Sequence, residues 1–257
     1  IIIGEAFLLG YITALLSQTF TSLTLIYILL LSIGAVALVR LKQWNLVGAG
    51  SFVATYLLYV LSWEQHSGQI WISMLFLSLY FLIFIYETTA MQTKGNVHIV
   101  ISIANALLYY ILMYGFVAQH FAHAQGAFAF GIATFYFILY GLLNKSLLSK
   151  AHLSLGVFFF TLFVIIQMNE EWITVIWSLE ALLLIYLAQK QKIPLLQMAG
   201  YIVSGIALFK LLLYDSIVLA GLQWNNLMAS SRPFAYIVGI IVFFLIYGLL
   251  KNQQRIM

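Results

Sequence analysis

Residues 151–188 read AHLSLGVFFFTLFVIIQMNEEWITVIWSLEALLLIYLA. Two apolar runs, 151–168 and 172–188, flank three polar residues, Asn169-Glu170-Glu171. Each run approaches the ~20 helical residues that cross the hydrocarbon of a bilayer. Inside a bilayer no water is available to backbone N–H and C=O groups, so a continuous apolar run must satisfy them internally, as a helix. A spanning β-strand would instead be ~10 residues of alternating polarity. The short polar break makes the pair a tight antiparallel hairpin with acids at its tip.

The rest of the chain repeats this pattern. Of 257 residues, 64% are hydrophobic and 7% charged, and mean hydropathy is +1.06. A soluble domain carries charge on roughly a quarter of its residues, so this chain cannot coat a water-exposed surface. Ten apolar segments are predicted as helices: 1–17, 22–39, 45–62, 70–87, 97–118, 127–143, 151–168, 172–188, 195–220 and 233–250. The expected fold is an all-α polytopic membrane helix bundle, one transmembrane domain over 1–257. Pro194 and Pro233 fall where segments begin, and there the missing N–H costs nothing. The chain begins Ile1-Ile2-Ile3 with no basic n-region, so the first segment does not read as a signal peptide and the chain reads as part of something longer.

Charge alternates between successive turns. Arg40, Lys42, Lys94, Lys145, Lys150, Lys190, Lys192, Lys251 and Arg255 fall on one side, and Arg232 alone among basic residues falls with Glu64, Glu170 and Glu171 on the other. The positive-inside rule makes the first side, and the C-terminus, cytoplasmic. The net charge of +4 is thus largely a topology signal and does not point to nucleic acid. Trp63, Trp71, Trp172 and Trp224 lie near the opposite ends of spans, as an interfacial belt. Trp44 lies at the basic face, and Trp177 lies inside a span.

An internal repeat is readable. Tyr140-Gly141-Leu142-Leu143 recurs as Tyr247-Gly248-Leu249-Leu250, and Trp71 and Tyr80 correspond to Trp177 and Tyr186. Blocks of approximately 70–145 and 172–252 recur at an offset of 106–107 residues, a period of four spans, which implies a tandem parallel duplication.

Buried charge is expensive in hydrocarbon, at least ~2.5–3.5 kcal/mol at a helix centre, so in-span polar residues need a reason. Glu5, Glu180 and Lys210 lie within spans, with Asp215 and Arg232 near the outer interface. Glu180 is deepest, about eight residues or roughly 12 Å into its span. Reflection about the 191–192 turn places Ser204 level with Glu180, and Lys210 roughly 10 Å nearer the outer face. Lys210 therefore either bridges Glu180 through a shifted register or snorkels toward Glu170, Glu171 or Asp215. A substrate or ion site would draw on Glu180, Lys210, Asp215, Trp177, Arg232 and Glu5. Otherwise Glu180 bonds to neighbouring helices and the rest are anchors.

Other chemistry has little support. The absence of Cys removes disulfides, thiolate metal sites and Cys nucleophiles. His120 and His123, with Glu64 and His66 on the same side, form a weak metal set that solvated interfacial histidines explain better. His98 and His152 read as polar flank at the cytoplasmic face. There is no phosphate-binding glycine loop, dinucleotide fingerprint, nucleophile elbow or zinc-protease motif. No cofactor is expected. Gly48-Ala49-Gly50-Ser51, Ala127-x-x-x-Gly131 and Gly200-x-x-x-Ser204 read as close-packing patches.

Trp177-x-x-Glu180, a basic turn, Gly200 and then Lys210-x-x-x-x-Asp215 resemble the motif of a bacterial family of large, many-spanning predicted membrane proteins, known as a domain of unknown function. The resemblance covers about 172–220 and departs after Asp215, where 221–231 form an outer loop. It implies a bacterial envelope location and lends no chemistry. The expected function is that of a multi-pass inner-membrane protein, transporter-like or an envelope-assembly subunit, handling a small polar or lipid-linked substrate. The rivals are a scaffold subunit of a larger membrane complex and a membrane enzyme acting on lipid-linked substrates, which the short loops disfavour. Expected partners are membrane lipid and other membrane subunits.

Overall fold

The computed structural model describes residues 2–16, 22–63, 69–90, 96–143, 146–168, 170–191, 194–215 and 232–256. Among them are ten α-helices: α1 (Ile2–Leu16), α2 (Ser22–Lys42), α3 (Asn45–Leu61), α4 (Ile70–Ala90), α5 (Asn96–His120), α6 (Gln125–Leu142), α7 (Leu147–Gln167), α8 (Glu170–Gln191), α9 (Pro194–Phe209) and α10 (Arg232–Ile256). Each coincides with one apolar segment of the sequence, and the fold is an all-α helical bundle. Seven helices are long and apolar enough to cross a membrane, with shorter apolar stretches in α1, α3 and α10. Large apolar side chains such as Leu30, Ile111 and Phe244 remain mostly exposed, as lipid-facing side chains must be.

The chain divides into two compact units, residues 1–128 with 134–155, and residues 129–133 with 156–257. In unit 1, α2 packs on α1, α3 and α4, and α5 packs on α3 and α4. The connection from α2 to α3 is very short. It turns at Gln43, which holds φ 61° and donates its N–H to Val39 O at 2.9 Å, a left-handed cap of the kind glycine usually supplies.

Hydroxyl groups tie the unit-1 helices together where lipid-soluble side chains alone would slide. Tyr11 OH of α1 lies 3.2 Å from Ser32 Oγ, 2.5 Å from Ser51 Oγ and 3.2 Å from Thr55 Oγ1. Tyr80 OH donates to Leu25 O, and Tyr59 OH to Ser73 O, both at 2.9 Å. Rings fill the space between. Phe81 stacks on Tyr109 at 4.2 Å, and Trp63 on Phe116 at 4.3 Å.

In unit 2, α8 packs on both α9 and α10. Ala181, Ile185, Val242 and Ile246 form the dry seam between α8 and α10. Residues 210–215 continue α9 as a wider π-turn, where the predicted segment reads as one uninterrupted helix. The π-turn diverts the Leu211 carbonyl to Tyr236 OH of α10, at 2.9 Å.

Two of the three small-residue patches are close approaches. A Cβ on Gly200 would lie 2.7 Å from Ile185 Cγ1 and 3.2 Å from the Ile185 backbone N. A Cβ on Gly48 would run into the Glu87 carboxylate and stand 2.7 Å from Val39. Gly131 corrects the third expectation. Nothing lies within 4 Å of a Cβ there, and Ala127 and Gly131 are exposed. Small size leaves a site open to lipid as readily as it admits a helix, and spacing does not separate the two.

Candidate functional sites

Unit 2 carries the deep acid anticipated from sequence. Glu180 is 7% exposed on α8. One carboxyl oxygen, Oε1, meets the Thr161 hydroxyl of α7. Thr161 Oγ1 also lies 3.0 Å from Val157 O. The other oxygen of Glu180 is buried without a hydrogen-bond partner, and so is the indole N–H of Trp177. Three residues apart, Trp177 and Glu180 are neighbours on one face of α8. One unpartnered donor and one unpartnered acceptor thus belong to side chains three residues apart on α8.

Lys210 does not join them. Its ammonium donates to Glu170 O and to Thr174 Oγ1, both at 2.8 Å. These partners are ten and six residues up α8 from Glu180, roughly 9–15 Å at 1.5 Å per residue. The side chain reaches toward the helix N-terminus, along the snorkelling path. Glu5 is exposed on α1, and His120 and His123 are exposed around the end of α5. Asp215 and Arg232 begin or end described helices, but their side chains lie outside the described residues, as do Glu64 and His66. Among the described residues, no three His, Asp or Glu side chains cluster as metal ligands.

Unit 1 holds a second set that the sequence reading passed over. Glu87 is 1% exposed, three residues from the end of α4, and neither carboxyl oxygen has a hydrogen-bond partner. Its room comes from the missing side chain of Gly48. His98 and His152, read from sequence as polar flank, are buried instead. Both ring nitrogens of His98 lack a partner, while His152 Nε2 lies 3.0 Å from Ser102 Oγ and its Nδ1 is unpartnered. Asn105 accepts from Tyr56 OH at 2.6 Å and donates to Phe81 O at 3.0 Å.

A signal for this set was present. His98, Ser102 and Asn105 follow one another at spacings of four and three, one stripe of a helix, and all three are buried. His98 lies near the start of its helix, beside a basic turn, and for that reason reads from sequence as a surface residue.

Residues 4–254 match a family model described as "Predicted membrane protein (DUF2339)". No curated protein matches the chain, and no solved structure does.

Proposed function

The chain belongs to the DUF2339 family of predicted membrane proteins, and from that premise we propose that it is a transporter-like inner-membrane protein handling a small polar solute at the Trp177–Glu180 face of unit 2. The observation that carries this reading is the pair of unpartnered buried polar groups three residues apart on α8, the Trp177 N–H and one Glu180 oxygen. Buried polar groups in native proteins are nearly always paired, and in-span acids are functional by default. A solute with both a donor and an acceptor, such as one bearing a hydroxyl or an amide group, would satisfy both.

Hydrogen-bond bookkeeping points the same way. The Thr161 hydroxyl has one proton and two acceptors beside it, Val157 O and Glu180 Oε1. A protonated Glu180 completes the chain, donating to Thr161 Oγ1 while Thr161 donates to Val157 O. Glu180 would then be a carboxylic acid able to exchange its proton or bind a cation as the solute passes. The basic turns face the cytoplasm in this scheme, with the C-terminus among them.

The test uses purified full chain. A panel of amino acids, sugars and polyols is screened by thermal unfolding, and positives are followed by uptake into proteoliposomes. A ligand at 100 times its Kd stabilises its target by about 2.7 kcal/mol. Wild type gains stability and takes up the solute. Glu180→Gln and Trp177→Phe remain helical but lose both responses. Uptake by Glu180→Gln at the wild-type rate would sink the proposal. So would a wild type that responds to no solute while both variants unfold at higher temperature, the behaviour of a purely structural bundle.

A further inference from the structure

We infer that the groove between α2 and α4 of unit 1 is a binding site for an anionic diacyl phospholipid. The groove has a volume of about 710 Å³ and is lined by two facing stripes, Ile33, Val36 and Ala37 on α2 against Leu79, Leu82 and Ile83 on α4, with Arg40 and Tyr86 at one end. From Ile33 to Arg40 the helix rises about 10 Å, a run of hydrocarbon surface that ends on a guanidinium. An acyl chain fits the first part and a phosphate the second.

Arg40 is held for such a role. It donates through Nη1 to Tyr86 OH, and its guanidinium lies 5.7 Å from the centre of the Tyr86 ring. Among the described residues it has no carboxylate partner. The nearest acid in sequence to Tyr86 is Glu87, which is buried on the Gly48 side of α4. Arg40 lies in the last turn of α2, the depth at which basic side chains meet headgroups. A similar apolar groove in unit 2, between Leu179, Leu183 and Tyr186 of α8 and Phe244 and Leu245 of α10, has no basic residue among the described residues of its lining. Charge complementarity therefore singles out the unit-1 groove for an anionic lipid, while the other suits any acyl chain.

Native mass spectrometry of the delipidated full chain, with phosphatidylglycerol and phosphatidylcholine at equal concentration, tests the assignment. One basic residue near the headgroup gives about a five-fold preference for the anionic lipid. Wild type and Lys42→Gln show that preference, since Lys42 does not line the groove. Arg40→Gln binds the two lipids equally. Ala37→Phe, which fills the groove and leaves the charge, loses adducts of both. Circular dichroism checks that each variant is folded, and Ala37→Phe decides the matter should Arg40→Gln fail to fold. Equal binding by wild type overturns the inference. So does Lys42→Gln erasing the preference as fully as Arg40→Gln, which would mean diffuse surface charge, or Ala37→Phe leaving both lipids bound.

Discussion

Glu87 in unit 1 and Glu180 in unit 2 are both carboxyls buried in apolar helices, and they are buried by different means. Glu180 sits deep in its span, shares a hydroxyl with α7 and keeps one oxygen free. Glu87 sits at a span's end, has no hydrogen-bond partner on either oxygen, and fits because Gly48 leaves space for it. Depth in the sequence makes one acid conspicuous, and packing alone makes the other. An in-span acid is therefore recognised by what its neighbours do to it, more than by its distance from the nearest turn.

The largest expected effect comes from closing the Glu87 cavity. Gly48→Ala should cost about 3 kcal/mol in thermal or denaturant unfolding, since the new methyl meets both the carboxyl and Val39. Gly50→Ala, two residues away with nothing within 4 Å, should be neutral or stabilising by up to ~1 kcal/mol. Equal effects at the two glycines would mean that the fit around Glu87 is loose.

Next, Thr161→Val should turn Glu180 into a second Glu87. Removing the hydroxyl leaves both oxygens unpartnered and should cost about 2 kcal/mol in thermal unfolding, with circular dichroism confirming that the variant keeps its helical content. A loss below ~0.5 kcal/mol would show that the hydroxyl carries little of the burial.

Glu87→Met reverses the sign. Replacing an unpartnered buried carboxyl by an apolar side chain of similar length should stabilise by about 1–2 kcal/mol. Glu180→Met should gain less, because it forfeits the Thr161 contact. If Glu87→Met destabilises, Glu87 holds a favourable contact such as a bound cation.

The smallest effect is a null coupling. Lys210 binds Glu170 O and Thr174 Oγ1, away from Glu180. In a double-mutant cycle, Lys210→Met and Glu180→Gln should therefore add to within ~0.5 kcal/mol. A coupling above ~1 kcal/mol would restore a Glu180–Lys210 bridge.

Much of the fold is legible in the sequence. The continuous apolar runs predict ten helices at positions the structure occupies, and the register argument about the 191–192 turn already separated Lys210 from Glu180. The site was legible only where depth marked it. Glu180 stood out mid-span, whereas Glu87, His98 and His152 sit near span ends beside the basic turns and are nonetheless buried.

Sequence by itself determined that the chain lies in a membrane, which apolar runs become the described helices and where its charges gather. Backbone desolvation in lipid and the cost of placing charge there act residue by residue, so composition and order are enough to read them. Tertiary structure alone decided which small residues admit a neighbour, which polar residues lose contact with water and which grooves end on a cation. Those properties belong to pairs of helices whose facing stripes meet, and one stretch of sequence holds only half of each pair.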